Sequence, residues 1–159
     1  MVLDVTDFTC SDVGGNTVTL TVTDNNGNID VCTATVTVYD TISPVAVCQD
    51  IDAYLDVTGN ATIVAGDVDG GSTDACGIAN LAVDISAFDC TDIGPNTVTL
   101  TITDNNGNTD QCTATVTVHD TISPVAVCQD IDVYLNAAGN ASIVAVDVDG
   151  GSTDACGIA

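Results

Sequence analysis

The chain has 159 residues, of which 23 are Asp and none is Glu, Lys or Arg, so with its single His neutral the formal charge is -23. A surface of this sign repels the phosphates of nucleic acids and anionic membrane surfaces, which excludes both as partners. Disorder, the usual companion of such a charge, is excluded by 45% hydrophobic residues rich in Val and Ile, and no apolar run is long enough to span a bilayer.

The residues at 1–4 do not open a secretory signal, and the chain reads as a soluble stretch of something longer. Its period is 80. Cys10, Cys32, Cys48 and Cys76 return as Cys90, Cys112, Cys128 and Cys156, and residues 1–79 laid over 81–159 without a gap agree at 59 of 79 positions. A unit of this length suits a small all-β domain that closes its own core, not a solenoid turn. The boundary signal is Asp40-Thr41-Ile42-Ser43-Pro44 and its copy Asp120 to Pro124. Proline cannot continue a ladder and holds its predecessor extended, as a short stiff linker requires. On that cut residues 41–120 are one complete domain, 1–40 the C-terminal half of a preceding one, and 121–159 the N-terminal half of a following one.

Within 41–120 short strands are expected around 45–48, 51–55, 61–65 and 81–85, followed by a long alternating pair. Val98, Leu100 and Ile102 fall on one face of 96–103 with Thr on the other. Asp104-Asn105-Asn106-Gly107-Asn108 reads as a hairpin turn, because Asn and Gly tolerate positive φ. Ala114, Val116 and Val118 continue the apolar face on the return strand 110–119. No segment has a helical period. The expected architecture is all-β: tandem immunoglobulin-like antiparallel β-sandwiches of about seven strands per repeat.

Three stretches resemble the hyalin-repeat (HYR-like) modules of bacterial surface and secreted proteins. They are Pro44-Val45-Ala46-Val47-Cys48-Gln49-Asp50, Gly71-Ser72-Thr73-Asp74-Ala75-Cys76-Gly77, and the hairpin from Asn96 through Gly107-Asn108 to Cys112-Thr113-Ala114-Thr115-Val116. The resemblance covers nearly the whole chain and implies tandem spacer or stalk modules of adhesins.

Eight Cys at fixed spacing without any Cys-x-x-Cys pair point to a disulfide framework in an oxidising, extracellular compartment, not to a zinc site. Four Cys per unit allow three connectivities. The resemblance implies a bridge between Cys48 and Cys112, and with it one between Cys76 and Cys90. In the same frame Cys10, Cys32, Cys128 and Cys156 find partners outside the chain.

With no Lys or Arg, the Asp side chains must be neutralised by solvent or by metal. Most can simply be solvated, since exposed charges are screened over about 8 Å at physiological ionic strength. The Gly-rich loop holding Asp67, Asp69 and Asp74, repeated as Asp147, Asp149 and Asp154, is the first candidate for Ca²⁺, which takes six to eight oxygen ligands. A second set is the turn from Asp24 to Asp30 and its copy from Asp104 to Asp110, whose Gly stands at the fourth position, not the sixth of an EF-hand loop; a plain hairpin turn accounts for it better. The linker residues Asp40 and Asp120 are placed to join a site between neighbouring domains.

Thr41 and Thr121 lie in an Asp-Thr-aliphatic pattern of bacterial O-glycosylation, while Asn60 and Asn140 head formal N-glycosylation sequons better explained as turns. The rows of Thr at 17, 19, 21, 23 and at 33, 35, 37 read as solvated strand faces and not as an ice lattice, because sandwich sheets twist. Tyr54 and Tyr134 read as core or edge packing. Catalysis is not expected, since the only His, His119, is Tyr39 in the other copy and a general base would have to be Asp. The sequence therefore predicts a non-enzymatic extracellular structural repeat of a filament, stalk or surface adhesin, stiffened by Ca²⁺ and joined head to tail with copies of itself. The alternative is an adhesion module that recognises glycans or a cell surface.

Overall fold

The computed structural model describes residues 1–159. The chain is mostly β, with nine strands and one short α-helix. In chain order they are β1 (Val2–Leu3), β2 (Gly14–Thr23), β3 (Ile29–Val38), β4 (Ile51–Tyr54), β5 (Asn60–Thr62), β6 (Ile78–Val83), β7 (Ala87–Asp89), β8 (Gly94–Asp104), β9 (Thr109–His119) and α1 (Ala145–Val148). The strands form small sheets of order β1-β2-β3, β4-β9-β8-β6 and β5-β7. Contacts divide the chain into two compact units. The first comprises Met1–Cys48, Asp69–Ala82 and Leu100–Cys112, the second Gln49–Val68, Val83–Thr99 and Thr113–Ala159.

The two long hairpins form where the alternation is strictest. In the first unit β2 pairs antiparallel with β3 from Gly14–Val38 to Thr23–Ile29, and the link is the turn Asp24 to Asn28 with Gly27 at φ +89°. Along β8 and β9 alternate residues disappear from solvent: Val98, Leu100, Ile102 and Val116 are fully buried, Ala114 and Val118 nearly so. The second unit adds Leu55, Ile63, Val68 and Phe88 to its core. Full burial of an aliphatic side chain stabilises by about 1.5–3 kcal/mol, so these positions hold most of the cohesion of a chain without salt bridges to Lys or Arg.

Several details depart from the sequence reading. Residues 45–48 make only isolated bridges, Val45 with Thr73 and Cys48 with Asp69. The strand expected at 61–65 ends at Thr62, and a 3-10 turn follows at Ala65–Asp67, closed by the Val64 N–H donating to Asp67 Oδ2 at 2.7 Å. β7 was not foreseen, because only Phe88 of its three residues is buried and one residue carries no period. β4 runs parallel to β9, with Ile51 opposite Val116 and Tyr54 opposite His119, where an antiparallel neighbour was expected. Tyr54 is no core residue: it is 60% exposed and stacks on the His119 ring at 5.3 Å between centroids, while Tyr134 is more exposed still.

Candidate functional site

The carboxylates of the predicted Asp67 to Asp74 loop do not converge; each closes a turn of its own. Asp67 accepts from Val64 N–H, Asp69 Oδ1 from the hydroxyl and N–H of Ser72 at 2.6 and 2.9 Å, and Asp74 Oδ1 from Cys76 N–H at 2.7 Å. Asp147, Asp149 and Asp154 repeat the pattern with Val144, Ser152 and Cys156. The Ser72 hydroxyl and then its N–H hold Asp69 below the ordinary carboxylate pKa, and Ser152 does the same for Asp149.

The hairpin Asp residues are also turn formers. Asp104 Oδ1 accepts the N–H groups of Asn106 and Asn108 at 2.8 Å, and its Oδ2 accepts the Asn108 side chain at 2.7 Å. Asp24 makes the same three bonds with Asn26 and Asn28. Burial pushes the Asp104 pKa up, but the bonds from Asn108, Asn106 and Gly107 outweigh it and the net shift is downward. At exposed Asp24 the bonds from Asn28 dominate, and the shift is again downward. Asp110 Oδ2 accepts Ala46 N–H at 2.9 Å, whereas Asp30 Oδ1 accepts only its neighbour Val31 N–H.

Convergence occurs elsewhere. Asp40, Asp74 and Asp104 bring carboxylate oxygens within 4.8 Å of one another, all inside the first unit. Asp104 is 1% exposed, and Asp40 Oδ2 is buried with no hydrogen-bond partner. Asp40 Oδ1 accepts Ile42 N–H at 3.0 Å, so one oxygen of that carboxylate is committed to the linker and the other has no donor. A buried anionic oxygen without a donor is costly, and three carboxylates at this range repel unless a cation intervenes. The donor set, all hard oxygen, suits Ca²⁺ or another hard divalent ion. Sequence reasoning named each residue but placed them in three different candidate sets; no local spacing reveals a site drawn from a linker, a loop and a hairpin. In the second unit Asp120 and Asp154 meet in the same way beside Cys156 Sγ, but that sulfur is bonded to Cys90 and is no thiolate ligand.

The cysteines pair as Cys48–Cys112, Cys10–Cys76 and Cys90–Cys156, leaving Cys32 and Cys128 as exposed thiols. A bridge between Cys76 and Cys90 is not formed. Cys76 lies before β6 in the first unit and Cys90 after β7 in the second, and each is bonded to a residue 66 positions away. Cys10 and Cys156 therefore have partners inside the chain, contrary to the sequence expectation. The two bridges are one motif repeated, since 10 and 76 become 90 and 156 on adding 80. Three disulfides point to an oxidising, extracellular environment.

The remaining positions are quickly placed. Thr41 and Thr121 are exposed, and their side chains make no hydrogen bond. The Asn60 amide is engaged by Thr58 O and Oγ, which is turn chemistry. His119 Nε2 lies 2.8 Å from Asp52 Oδ1, so one Asp does meet a basic group when the imidazole is protonated. An open groove beside it in the second unit is lined by Gln49, Asp52, Tyr54 and Asp67, and Gln129, Asp132, Tyr134 and Asp147 line its counterpart one repeat on. No family model and no curated protein matches the chain.

Proposed function

We propose that the chain is a non-enzymatic extracellular structural repeat, an array of immunoglobulin-like sandwich modules that builds a filament, stalk or surface adhesin by head-to-tail continuation. Residues 41–120 are the complete module and the flanking halves belong to its neighbours. The observation that carries this reading is the disulfide pattern: the same bridge, Cys10–Cys76 and then Cys90–Cys156, recurs with the sequence period. Each copy staples residues of one half-module to those of the next, a scheme that extends without limit when the unit is repeated. Ca²⁺ bound by Asp40, Asp74 and Asp104 stiffens the array, because it neutralises carboxylates drawn from the linker, the loop and the hairpin at once.

Negative-stain and cryo-electron microscopy of the purified chain, with Ca²⁺ and with EDTA, tests the proposal. Filaments with a regular axial repeat, straighter in Ca²⁺ than in EDTA, are expected; monodisperse particles in both conditions would overturn it. The recurring groove favours one second reading, adhesion to glycans, since exposed Tyr54 with Gln49, Asp52 and Asp67 offers a ring face and hydrogen-bonding groups. A glycan array decides between them: no retained sugar is expected of a spacer.

A further inference from the structure

Two surfaces of the chain are left uncovered although their counterparts one repeat away are buried. On β2–β3 the register sets Val18 opposite Ala34 and Leu20 opposite Cys32, so Cys32 lies on the apolar face of the hairpin. The counterparts Val98, Leu100, Ile102 and Ala114 are at most 2% exposed, whereas on β2–β3 only Val18 is buried, at 5%, Val22 is 39% exposed, and Ala34 and Cys32 are exposed. In residues 121–159 the contrast is sharper: Leu55 is 2% exposed and its counterpart Leu135 70%. Beside Cys128 lies an open apolar hollow of about 390 Å³, lined by Val127, Ala145, Val148 and Ile158. Val68, the counterpart of Val148, is wholly buried.

Within the chain the counterparts of these two surfaces are tied together. Cys48 is bonded to Cys112. Around that bond Ala46 N–H donates to Asp110 Oδ2 at 2.9 Å, and the Asn108 side chain donates to the carbonyls of Asp40 and Ile42 at 3.4 and 3.2 Å. One repeat away the same residue types stand ready on both sides: Cys128, Ala126 and Ile122 on one, Cys32, Asp30 and Asn28 on the other. Asn28 already holds the same turn as Asn108 but donates only to Asp24. The two free thiols are thus counterparts of one bonded pair, not unrelated leftovers.

We infer that Cys128 of one copy forms a disulfide with Cys32 of a second copy, so that the chain links covalently head to tail. The inference rests on the head-to-tail reading above and adds the bond that locks each junction. The oxidant is a small-molecule disulfide of the extracellular medium. The Cys128 thiolate attacks it and expels one small thiolate; the Cys32 thiolate of the second copy then attacks the mixed disulfide and expels the other. Two protein thiols are oxidised, one small disulfide is reduced to two thiols, and the two protein protons pass to the released thiolates. The junction aligns the thiols because the apolar face of β2–β3 covers Val148 in the hollow beside Cys128, as Val68 is covered inside the chain. The occupant is a second copy because its residues 1–40 carry the complementary residues, Cys32, Asp30 and Asn28, in register.

The test uses the full chain with its three bridges intact, as wild type, Cys32→Ser and Cys128→Ser, incubated with oxidised glutathione and separated by non-reducing electrophoresis. Wild type is expected to give a ladder of multimers that dithiothreitol collapses to monomer. Each variant alone is expected to stay monomeric, and their equimolar mixture to give one covalent dimer. Cleavage at Asp and mass spectrometry then identify the Cys32–Cys128 peptide pair. A covalent dimer from either variant alone, or wild type whose two thiols remain open to alkylation, overturns the inference. Light scattering separates the levels: non-covalent growth of chains with both thiols still free leaves head-to-tail assembly standing and removes the covalent lock, whereas a monomer with free thiols removes both.

Discussion

Residues 51–54 and 131–134 differ by one side chain, Ile-Asp-Ala-Tyr against Ile-Asp-Val-Tyr, and the second carries the better strand former. Only the first is a strand. It lies parallel to β9, Ala53 is 7% exposed and the Leu55 N–H donates to His119 O at 2.9 Å; Val133, by contrast, is 47% exposed. Nearly the same sequence has folded differently because one copy has a partner strand and the other has none. β2–β3 and β8–β9 supply the complementary case: both form fully, since each strand finds its partner across a short turn. Strand formation in this molecule is therefore of two kinds, one carried by the hairpin itself and one conferred by a distant neighbour.

Three measurements bear on that difference. The largest effect is expected on removing the distant tie. Replacing both Cys48 and Cys112 with Ser frees a loop of 64 residues and should cost roughly 4 kcal/mol in a urea titration, with amide protection lost over 51–54 and not over the β8–β9 hairpin. Equal loss in both segments would show that the hairpin also depends on the tie. Next come the paired leucines: Leu55→Ala should destabilise by about 2–5 kcal/mol and Leu135→Ala by no more than about 0.5 kcal/mol in the monomer. The second cost should rise once copies are joined, so a Leu135→Ala cost that ignores assembly would break the comparison.

The smallest effects concern the Asp turns. With Ca²⁺ present, Asp104→Ala should lower the urea midpoint more than Asp24→Ala, because it removes a member of the carboxylate cluster as well as the same turn bonds; in EDTA relief of the repulsion from Asp40 and Asp74 should narrow the gap. Acid acts on both. Their folded pKa values lie below the unfolded value of about 3.9, so the turn bonds contribute fully above that pH and are lost as pH falls through the depressed values. The urea midpoint of wild type should therefore decline below about pH 4, and the Asp24→Ala and Asp104→Ala variants should decline less steeply.

What the sequence made legible follows the same division. The hairpins at Asp24 and Asp104 were readable because strand alternation, turn chemistry and pairing all lie within about 25 residues of one another. β7 was not, since its one buried residue gains meaning only opposite β5. The cysteine pairing failed for a related reason. Residues of a repeat offer equivalent partners within the unit and one unit away, and spacing does not distinguish them, so Cys10 took the place assigned to Cys90. The aspartate cluster shows the same limit, because Asp40, Asp74 and Asp104 are 34 and 30 residues apart and meet only in space. A fold assembled from copies hides its long-range contacts by offering each of them twice.

The repeated bridges also fix how the chain responds to being pulled. From Cys10 the shortest covalent route to Cys156 crosses to Cys76, follows the backbone to Cys90, and crosses again. Only the 14 peptide units between 76 and 90 lie on that route, against the 146 that separate 10 from 156 along the backbone. Fully drawn out, those 14 units span about 50 Å, where the open chain would span about 500 Å. Tension applied at Cys10 and Cys156 is carried by this short leash, which holds β6 and β7, while the β2–β3 and β8–β9 hairpins lie in the bridged loops beside it; reduction of the bridges lengthens the route roughly tenfold.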